Sequence, residues 1–237
     1  MLTDTLYLGT ITLSTIISLP VDFIKTQLQL TGSIRNQPWR HQFIGADTVL
    51  LKSLIFLSLK KKLLKSTYES DKLFLISRFS VLAYVLSPFD HILVKLQTRH
   101  MRENAKVSNT WNTFLDIYSK EGLRGLYKGG PANFFKFFSY MVAGEMSNLA
   151  LVEYYVVFWK YFLAMVALIP ATIASHPFDV IKAHQQYYSS ENKTAFQTCL
   201  NIYSQRGLSG FYLGMGQAYA RSCFITVCTI FGLEITS

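Results

Sequence analysis

Apolar residues run along the chain in long segments that short polar stretches separate. Six of these segments have the roughly 20 residues that an α-helix needs to cross a bilayer. They lie at residues 5–30, 44–66, 72–98, 130–154, 157–186 and 215–236. The polar stretches 99–129 and 187–214 each predict a short amphipathic helix that ends at a glycine, Gly122 in the first and Gly207 in the second. The pattern therefore predicts an all-α membrane protein.

A short motif recurs in three of the apolar segments and divides the chain into repeats. Each copy has a proline, an aspartate and a glutamine at fixed spacing: Pro20, Asp22 and Gln29; Pro88, Asp90 and Gln97; Pro177, Asp179 and Gln186. Three residues after the aspartate stands a lysine in two copies, Lys25 and Lys182, whereas the second copy has Leu93. Tandem repeats of this length indicate one domain built from units that cannot fold alone. The predicted repeats are 1–69, 70–155 and 156–237.

Composition agrees with a membrane chain and excludes other classes of protein. Of the 237 residues 50% are hydrophobic and 16% charged, whereas soluble domains carry about a quarter charged residues. The net charge of +9 does not indicate nucleic-acid binding, because the basic residues are spread among short segments without an RNA-binding motif or zinc spacing. The histidines are scattered and no serine or cysteine lies in a nucleophile turn, so we expect no enzyme.

The repeated Pro-x-Asp-x-x-base motif after a membrane-length helix resembles the signature of the mitochondrial carrier family. The segment from Glu121-Gly122 to Tyr127-Lys128-Gly129 resembles a second motif of that family, acidic-Gly-x4-aromatic-basic-Gly. The resemblance implies six transmembrane helices with threefold pseudo-symmetry in the mitochondrial inner membrane, with both termini in the intermembrane space and short helices on the matrix side. The stretch from Lys25 to Phe43 is roughly half as long as that from Leu93 to Tyr127. We therefore expect a divergent, shortened member whose first matrix helix is largely deleted.

The resemblance also implies a matrix-side gate of ion pairs. A proline inside a helix removes a backbone donor and bends the helix, which would bring the three motifs together at Pro20, Pro88 and Pro177. Asp179 would pair with Lys25, Asp90 with Lys182, and the three motif glutamines would brace the pairs. Asp22 would face Leu93, and an unpaired carboxylate at membrane depth is costly. We expect Lys95, His91 or water to take the place of the missing base.

A second gate, expected at the other end of the even helices, is largely absent from the sequence. Its acid positions hold Lys65, Leu149 and Glu234, and its base positions hold Tyr68, Val152 and Ser237. Seven residues after Gly45, Gly129 and Gly214 stand three cations: Lys52, Lys136 and Arg221. In the family this level contacts substrate, and three cations in one cavity would attract a small anion. Alternatively, they neutralise carboxylates in the cavity or lie toward lipid head groups.

Lipid and protein partners follow from the same resemblance. The backbone N–H groups after Gly45, Gly129 and Gly214 would suit the phosphates of cardiolipin, the one bound group we expect, with Lys128 reinforcing the second site. Alternatively, these residues are simply turn glycines.

Two functions compete. The degenerate outer gate, the missing base at Leu93, the few glycines on the odd helices and the deleted matrix helix favour a structural subunit of a larger inner-membrane assembly, for example a respiratory-chain complex. The alternative is a transporter that exchanges a small anionic metabolite.

Overall fold

The computed structural model describes residues 2–34, 42–65, 72–101, 109–151, 157–191 and 193–236. These ranges form ten α-helices: α1 (Leu2–Ile17), α2 (Leu19–Thr31), α3 (Ala46–Lys65), α4 (Lys72–Val85), α5 (Ser87–Gln97), α6 (Thr110–Leu126), α7 (Gly130–Leu151), α8 (Val157–Tyr187), α9 (Ala195–Arg206) and α10 (Met215–Thr236). Short 3-10 turns occupy Arg99–Met101, Ser189–Glu191 and Leu208–Tyr212. No strand occurs in the described ranges. The predicted all-α architecture is therefore confirmed.

Six helical segments correspond to the six predicted spans. The odd spans are α1 with α2, α4 with α5, and α8, and the even spans are α3, α7 and α10. Among the described residues, Tyr161–Tyr187 is long and apolar enough to cross a membrane alone. Ile76–Val85 with Ser87–Gln97 also qualifies if this pair, bent by 52°, is taken as one span.

The motif prolines act differently in the three odd spans. Pro20 and Pro88 lie in the first turns of α2 and α5, where the missing backbone N–H has no helical partner to lose. The first and third spans are accordingly broken just before these prolines. Pro177 lies inside α8, which continues through it. A break in the helix therefore accompanies two of the three motif prolines.

The two short helices end at the predicted glycines. Gly122 interrupts α6 with φ 65°, and Gly207 ends α9 with φ 63°, a conformation that favours glycine. Thr194 caps the start of α9 through a reciprocal pair of hydrogen bonds with Gln197. Between Thr31 and Ala46, the described residues contain no α-helix, while residues 35–41 lie outside the described ranges.

Apolar contacts fix the short helices beneath the odd spans. Ile92 and Leu96 of α5 form one buried cluster with Ile117 and Leu126 of α6. A second cluster joins Val180 of α8 to Ile202 of α9 and Phe211. Each short helix is thus anchored to the motif-bearing helix that precedes it.

Small residues on both helices bring the third span close to α7. Ser80 and Ser87 are fully buried, and Ala83 is nearly so. A methyl group at Gly130, the first residue of α7, would lie 2.9 Å from Tyr84 Cε2 and 3.1 Å from Ser87 Oγ. The third span, which has no glycine of its own, therefore packs closely through its serine and alanine residues and through Gly130 of α7.

Candidate gate and solute site

The three motif aspartates lie in the first turns of α2 and α5 and within α8, and all are buried. Basic side chains from five helices surround them. We call this group the charge cluster: Asp22, Asp90, Asp179, Lys25, Lys52, Lys136, Lys182 and Arg221. Ionised side chains are costly to bury unless they are paired, so the cluster is described by its pairs.

The first set of pairs joins odd spans to each other. Lys25 Nζ lies 2.8 Å from Asp179 Oδ2. Lys182 Nζ lies 2.8 Å from Asp90 Oδ2. The family resemblance implied both contacts. At the third position Leu93 supplies no charge, so this set has two pairs instead of three.

The second set of pairs joins each even span to an odd span. Lys136 Nζ lies 2.7 Å from Asp179 Oδ1, and Lys52 Nζ contacts Asp90 Oδ1. Arg221 Nε lies 2.7 Å from Asp22 Oδ2, close enough for an ion pair, although its N–H is not aligned for a hydrogen bond. The sequence left open whether these cations face a solute or neutralise carboxylates. In this conformation they neutralise carboxylates.

Arg221 also provides the partner that Asp22 was expected to lack. We expected Lys95, His91 or water at this position. The structure has Arg221 there instead, with Lys25 Nζ at 3.8 Å from the other carboxylate oxygen of Asp22. This pair was not predicted, because it depends on how α10 is rotated about its axis.

Histidines near the motifs contact the backbone of neighbouring helices. His91 Nε2 lies 3.1 Å from the carbonyl oxygen of Gln186, and His184 Nε2 lies 3.0 Å from that of Gln29. His176 Nε2 lies 2.9 Å from the carbonyl oxygen of Leu213. Each of these histidines therefore joins two spans or a span and the turn before the next one.

The three motif glutamines differ in what they contact. Gln29 Nε2 donates to Asp179 Oδ2 at 3.1 Å and so braces the pair with Lys25. Gln97 Oε1 accepts from Thr26 Oγ1 at 3.2 Å. The side-chain amide of Gln186 is fully buried and has no hydrogen-bond partner among the described residues. The geometry of a brace on an ion pair is thus present at Gln29 and absent at the other two.

Asn133 occupies the place that a brace from Gln186 was expected to fill. Its Oδ1 accepts from Lys182 Nζ at 2.9 Å, and its Nδ2 lies 3.2 Å from Asp90 Oδ2. The same Nδ2 donates to the carbonyl oxygen of Ala83 at 2.8 Å. Asn133 was not predicted from the sequence. An amide in the otherwise apolar start of α7 was the available signal.

The helix-opening glycines have a packing role. Gly45, Gly129 and Gly214 all have positive φ, at 89°, 78° and 80°. A methyl group at Gly129 would lie 3.2 Å from the carbonyl oxygen of Lys182, and one at Gly214 would lie 3.1 Å from that of Lys25. One at Gly45 would lie 2.5 Å from Leu93 Cδ1. Each glycine therefore lets an even span approach the odd span at the position of the motif base.

Lys128 forms a junction between α6 and the end of α8. Its Nζ lies 3.0 Å from Glu121 Oε2 and also contacts the carbonyl oxygen of Ser189. Ser189 Oγ donates to Glu121 Oε1 at 2.6 Å. Burial alone would raise the pKa of Glu121, but the hydrogen bonds from Ser189 and Lys128 outweigh it and lower that pKa. Lys128 is thus engaged with protein groups.

A small cavity lies beside the charge cluster. Its volume is about 50 Å³, and Lys25, Lys136 and Arg221 line it together with the hydroxyl-bearing Tyr140 and Thr172. Sites for metabolites measure roughly 300–1,000 Å³. The space beside the cluster is therefore too small for a metabolite in this conformation.

The outer-gate positions fall outside what the structure describes. The side chains of Lys65, Leu149 and Glu234 are not described, and Tyr68, Val152 and Ser237 lie outside the described ranges. The degenerate outer gate accordingly stays a prediction.

Comparison with known proteins gives a family match. The model of the family described as mitochondrial carrier protein matches residues 79–156 and 154–237. Mitochondrial substrate carrier family protein Z of Dictyostelium discoideum is 29% identical over 136 residues, 51% of this chain and 42% of the relative. The glutamate/glycine mitochondrial carrier of Schizosaccharomyces pombe is 24% identical over 188 residues, 65% and 57% of the two chains. The mitochondrial glycine transporter of Xenopus laevis is 27% identical over 150 residues, which cover 57% of this chain and 46% of the relative. The chain spans about half the length of the curated relatives it matches.

Proposed function

The chain belongs to the mitochondrial carrier protein family, and from this premise we propose that it is a transporter that moves a small carboxylate-bearing metabolite across the mitochondrial inner membrane. The observation that carries the proposal is the charge balance of the charge cluster. Five cations there face three carboxylates, which leaves two positive charges in excess. Charges at membrane depth are costly and mark solute pathways. A solute with a negative group would balance the excess.

The relatives support transport over a structural role. Their names describe carriers of glutamate and glycine, of glycine, and of thiamine pyrophosphate. None of these names describes a subunit of an assembly. The carboxylate of an amino acid is also the kind of group that the excess positive charge favours.

The structure weakens two of the arguments for a structural subunit. Asp22 is paired with Arg221, so the base missing at Leu93 does not leave it alone. The third span packs closely through Ser80, Ala83 and Ser87, so its lack of glycine does not separate the helices. Transport is therefore better supported than the structural role that the sequence favoured.

Reconstitution tests the proposal. Liposomes containing the purified protein are loaded with glycine, glutamate or thiamine pyrophosphate, and uptake of the same labelled compounds is measured. We expect saturable uptake of a carboxylate compound that falls about tenfold in Lys136→Gln, which corresponds to about 1.4 kcal/mol of lost interaction.

Lys120→Gln is the matched control, because Lys120 lies on α6 outside the charge cluster and its side chain is 69% exposed. Its uptake should equal that of the unaltered protein. Absence of saturable uptake with every compound, together with migration in a large complex on a native gel, would support the structural subunit instead.

Cardiolipin is the lipid we propose at the starts of the even spans. Helix N-termini carry unpaired N–H groups that favour phosphate, and α3, α7 and α10 each start next to a positive-φ glycine. Because Lys128 is bound to Glu121, we assign the lipid contact to the backbone and not to this side chain. Added cardiolipin should raise the unfolding midpoint of the detergent-solubilised protein more than phosphatidylcholine does. Equal shifts would contradict the proposal.

Both termini are proposed to face the intermembrane space. Six spans place the two termini on the same side of the membrane, and the short helices α6 and α9 then lie on the matrix side with the charge cluster.

A further inference from the structure

Two rings of ion pairs surround the motif aspartates, and one of them is complete. The odd ring joins odd spans and consists of Lys25–Asp179 and Lys182–Asp90, with Leu93 at its third position. The even ring joins even spans to odd spans and consists of Lys52–Asp90, Lys136–Asp179 and Arg221–Asp22. Asp90 and Asp179 therefore each have a partner in both rings. Asp22 has an interhelical partner in the even ring alone.

The pairing of Asp22 depends on Arg221. The other cation near this carboxylate is Lys25, which lies on the same helix at 3.8 Å and is closer to Asp179, at 2.8 Å. Among the described residues, Arg221 is the one ion-pair partner that Asp22 has on another helix. Asp22 is 8% exposed, so loss of Arg221 would leave a buried carboxylate with poor compensation.

Position 93 and Asp22 occupy matched places on α5 and α2. Thr26 and Gln97 are hydrogen-bonded at 3.2 Å between α2 and α5. Asp22 and Leu93 each lie four residues earlier, one turn back on the same faces of these helices. Leu93 also packs against Gly45 at the start of α3. A lysine at this position would therefore complete the odd ring.

We infer that Arg221 is a positioning residue of the gate that replaces the missing base at position 93, so that α10, in place of α5, holds α2 in the closed conformation. That this contact belongs to a gate rests on the proposed transport function, but the pairing of Arg221 with Asp22 is testable without measuring transport. The three even-ring cations stand at matched positions, yet they are not equivalent. Removing Lys52 or Lys136 leaves an aspartate with its odd-ring partner, whereas removing Arg221 leaves Asp22 without one.

Thermal unfolding in detergent tests this difference. We expect Arg221→Gln to lower the unfolding midpoint by about 10 °C, since removing one partner of a buried pair is strongly destabilising. Lys52→Gln and Lys136→Gln should lower it by less than half as much. Equal losses for the three substitutions would overturn the inference.

Restoring the missing base is the sharper test. Leu93→Lys added to Arg221→Gln should reverse at least half of the decrease in the unfolding midpoint, because the introduced lysine would pair with Asp22. Leu93→Lys added to Lys136→Gln is the matched control and should recover nothing, because Asp179 lies elsewhere in the ring. No recovery in the first pair, or equal recovery in both, would overturn the inference.

Uptake measurements separate this inference from the proposed function. Recovered stability with recovered uptake supports a role of Arg221 in the gate alone, and recovered stability without recovered uptake supports a gate role combined with solute contact. If the unaltered protein shows no uptake, the proposed function fails while the midpoints still decide the pairing. Should Arg221→Gln yield no folded protein, folded protein from the double variant supports the inference and its absence contradicts it.

Discussion

A single amide illustrates how strongly the charge cluster depends on exact side-chain placement. Asn133 receives a hydrogen bond from Lys182 and approaches Asp90 and the backbone of Ala83. It therefore joins α7 to the third and fifth spans at one point. Its side chain is fully buried, so no water replaces these contacts from bulk solvent.

Asn133→Ala should destabilise the protein by about 2 kcal/mol, because it removes partners from buried polar groups. The measurement is chemical or thermal unfolding in detergent. Asn112→Ala is the control, since Asn112 is exposed on α6, and it should change stability by less than about 0.5 kcal/mol. Equal effects of the two substitutions would show that the contacts of Asn133 contribute little.

At the level of single residues, the family resemblance of the motif implied two of the contacts found in the charge cluster. These are Lys25 with Asp179 and Lys182 with Asp90. Arg221 with Asp22 does not follow, because it depends on how α10 is rotated about its axis. The expected contact of the Gln186 amide with an ion pair is absent for a related reason. A glutamine has several rotamers, and Asn133 is the amide that contacts Lys182.

At the level of helices, a side chain at the end of α9 caps the C-terminal end of α2. The guanidinium of Arg206 donates to the carbonyl oxygen of Leu30 at 2.8 Å and to that of Gln29 at 3.2 Å. The last carbonyls of a helix lack helical partners, and a cation there also interacts favourably with the helix dipole. Gly32, with φ 75°, ends α2 beside this contact. The end of α9 thus caps a helix that lies far earlier in the chain.

Arg206→Ala should therefore destabilise the protein by roughly 1.5–3 kcal/mol, the range for hydrogen bonds to a charged group. Arg206→Lys should recover part of this, because a lysine keeps the charge but not the planar fork. Unfolding midpoints of the two variants provide the measurement. Arg124→Ala, an exposed arginine at the end of α6, is the control and should have no measurable effect. A loss equal to that of Arg206→Ala would exclude capping as the cause.

Helix boundaries set by glycine were predictable, and those set by proline were not. Gly122 and Gly207 take positive φ, which few other residues tolerate, so each marks a boundary by local chemistry alone. The proline motif is the same in all three copies, yet α8 continues through Pro177 while two spans break. Whether such a helix breaks therefore depends on the surrounding packing, which the motif does not contain.

Across all six spans, the three odd spans meet in three similar contacts, and one of these contacts differs from the other two. Two of the contacts between odd spans are ion pairs, and the contact between α2 and α5 is the hydrogen bond from Thr26 to Gln97. The sequence predicted this inequality from Leu93. It did not predict that the even spans compensate for it, because that requires the arrangement of all six spans in space.

The orientation of the molecule is measurable by protease protection of mitochondria without their outer membrane. Tags at the N-terminus and the C-terminus should both be removed by added protease, since both termini are proposed to face the intermembrane space. A tag inserted between α9 and the turn at Leu208 should be protected, because that segment is proposed to face the matrix. Protection of either terminal tag would contradict the proposed topology.

The cap from Arg206 on α2 also constrains how the molecule is made. Synthesis proceeds from the N-terminus, so the guanidinium that donates to the carbonyl oxygens of Gln29 and Leu30 is made only with the last third of the chain. The C-terminal end of α2 therefore lacks this cap until the chain has been made as far as Arg206.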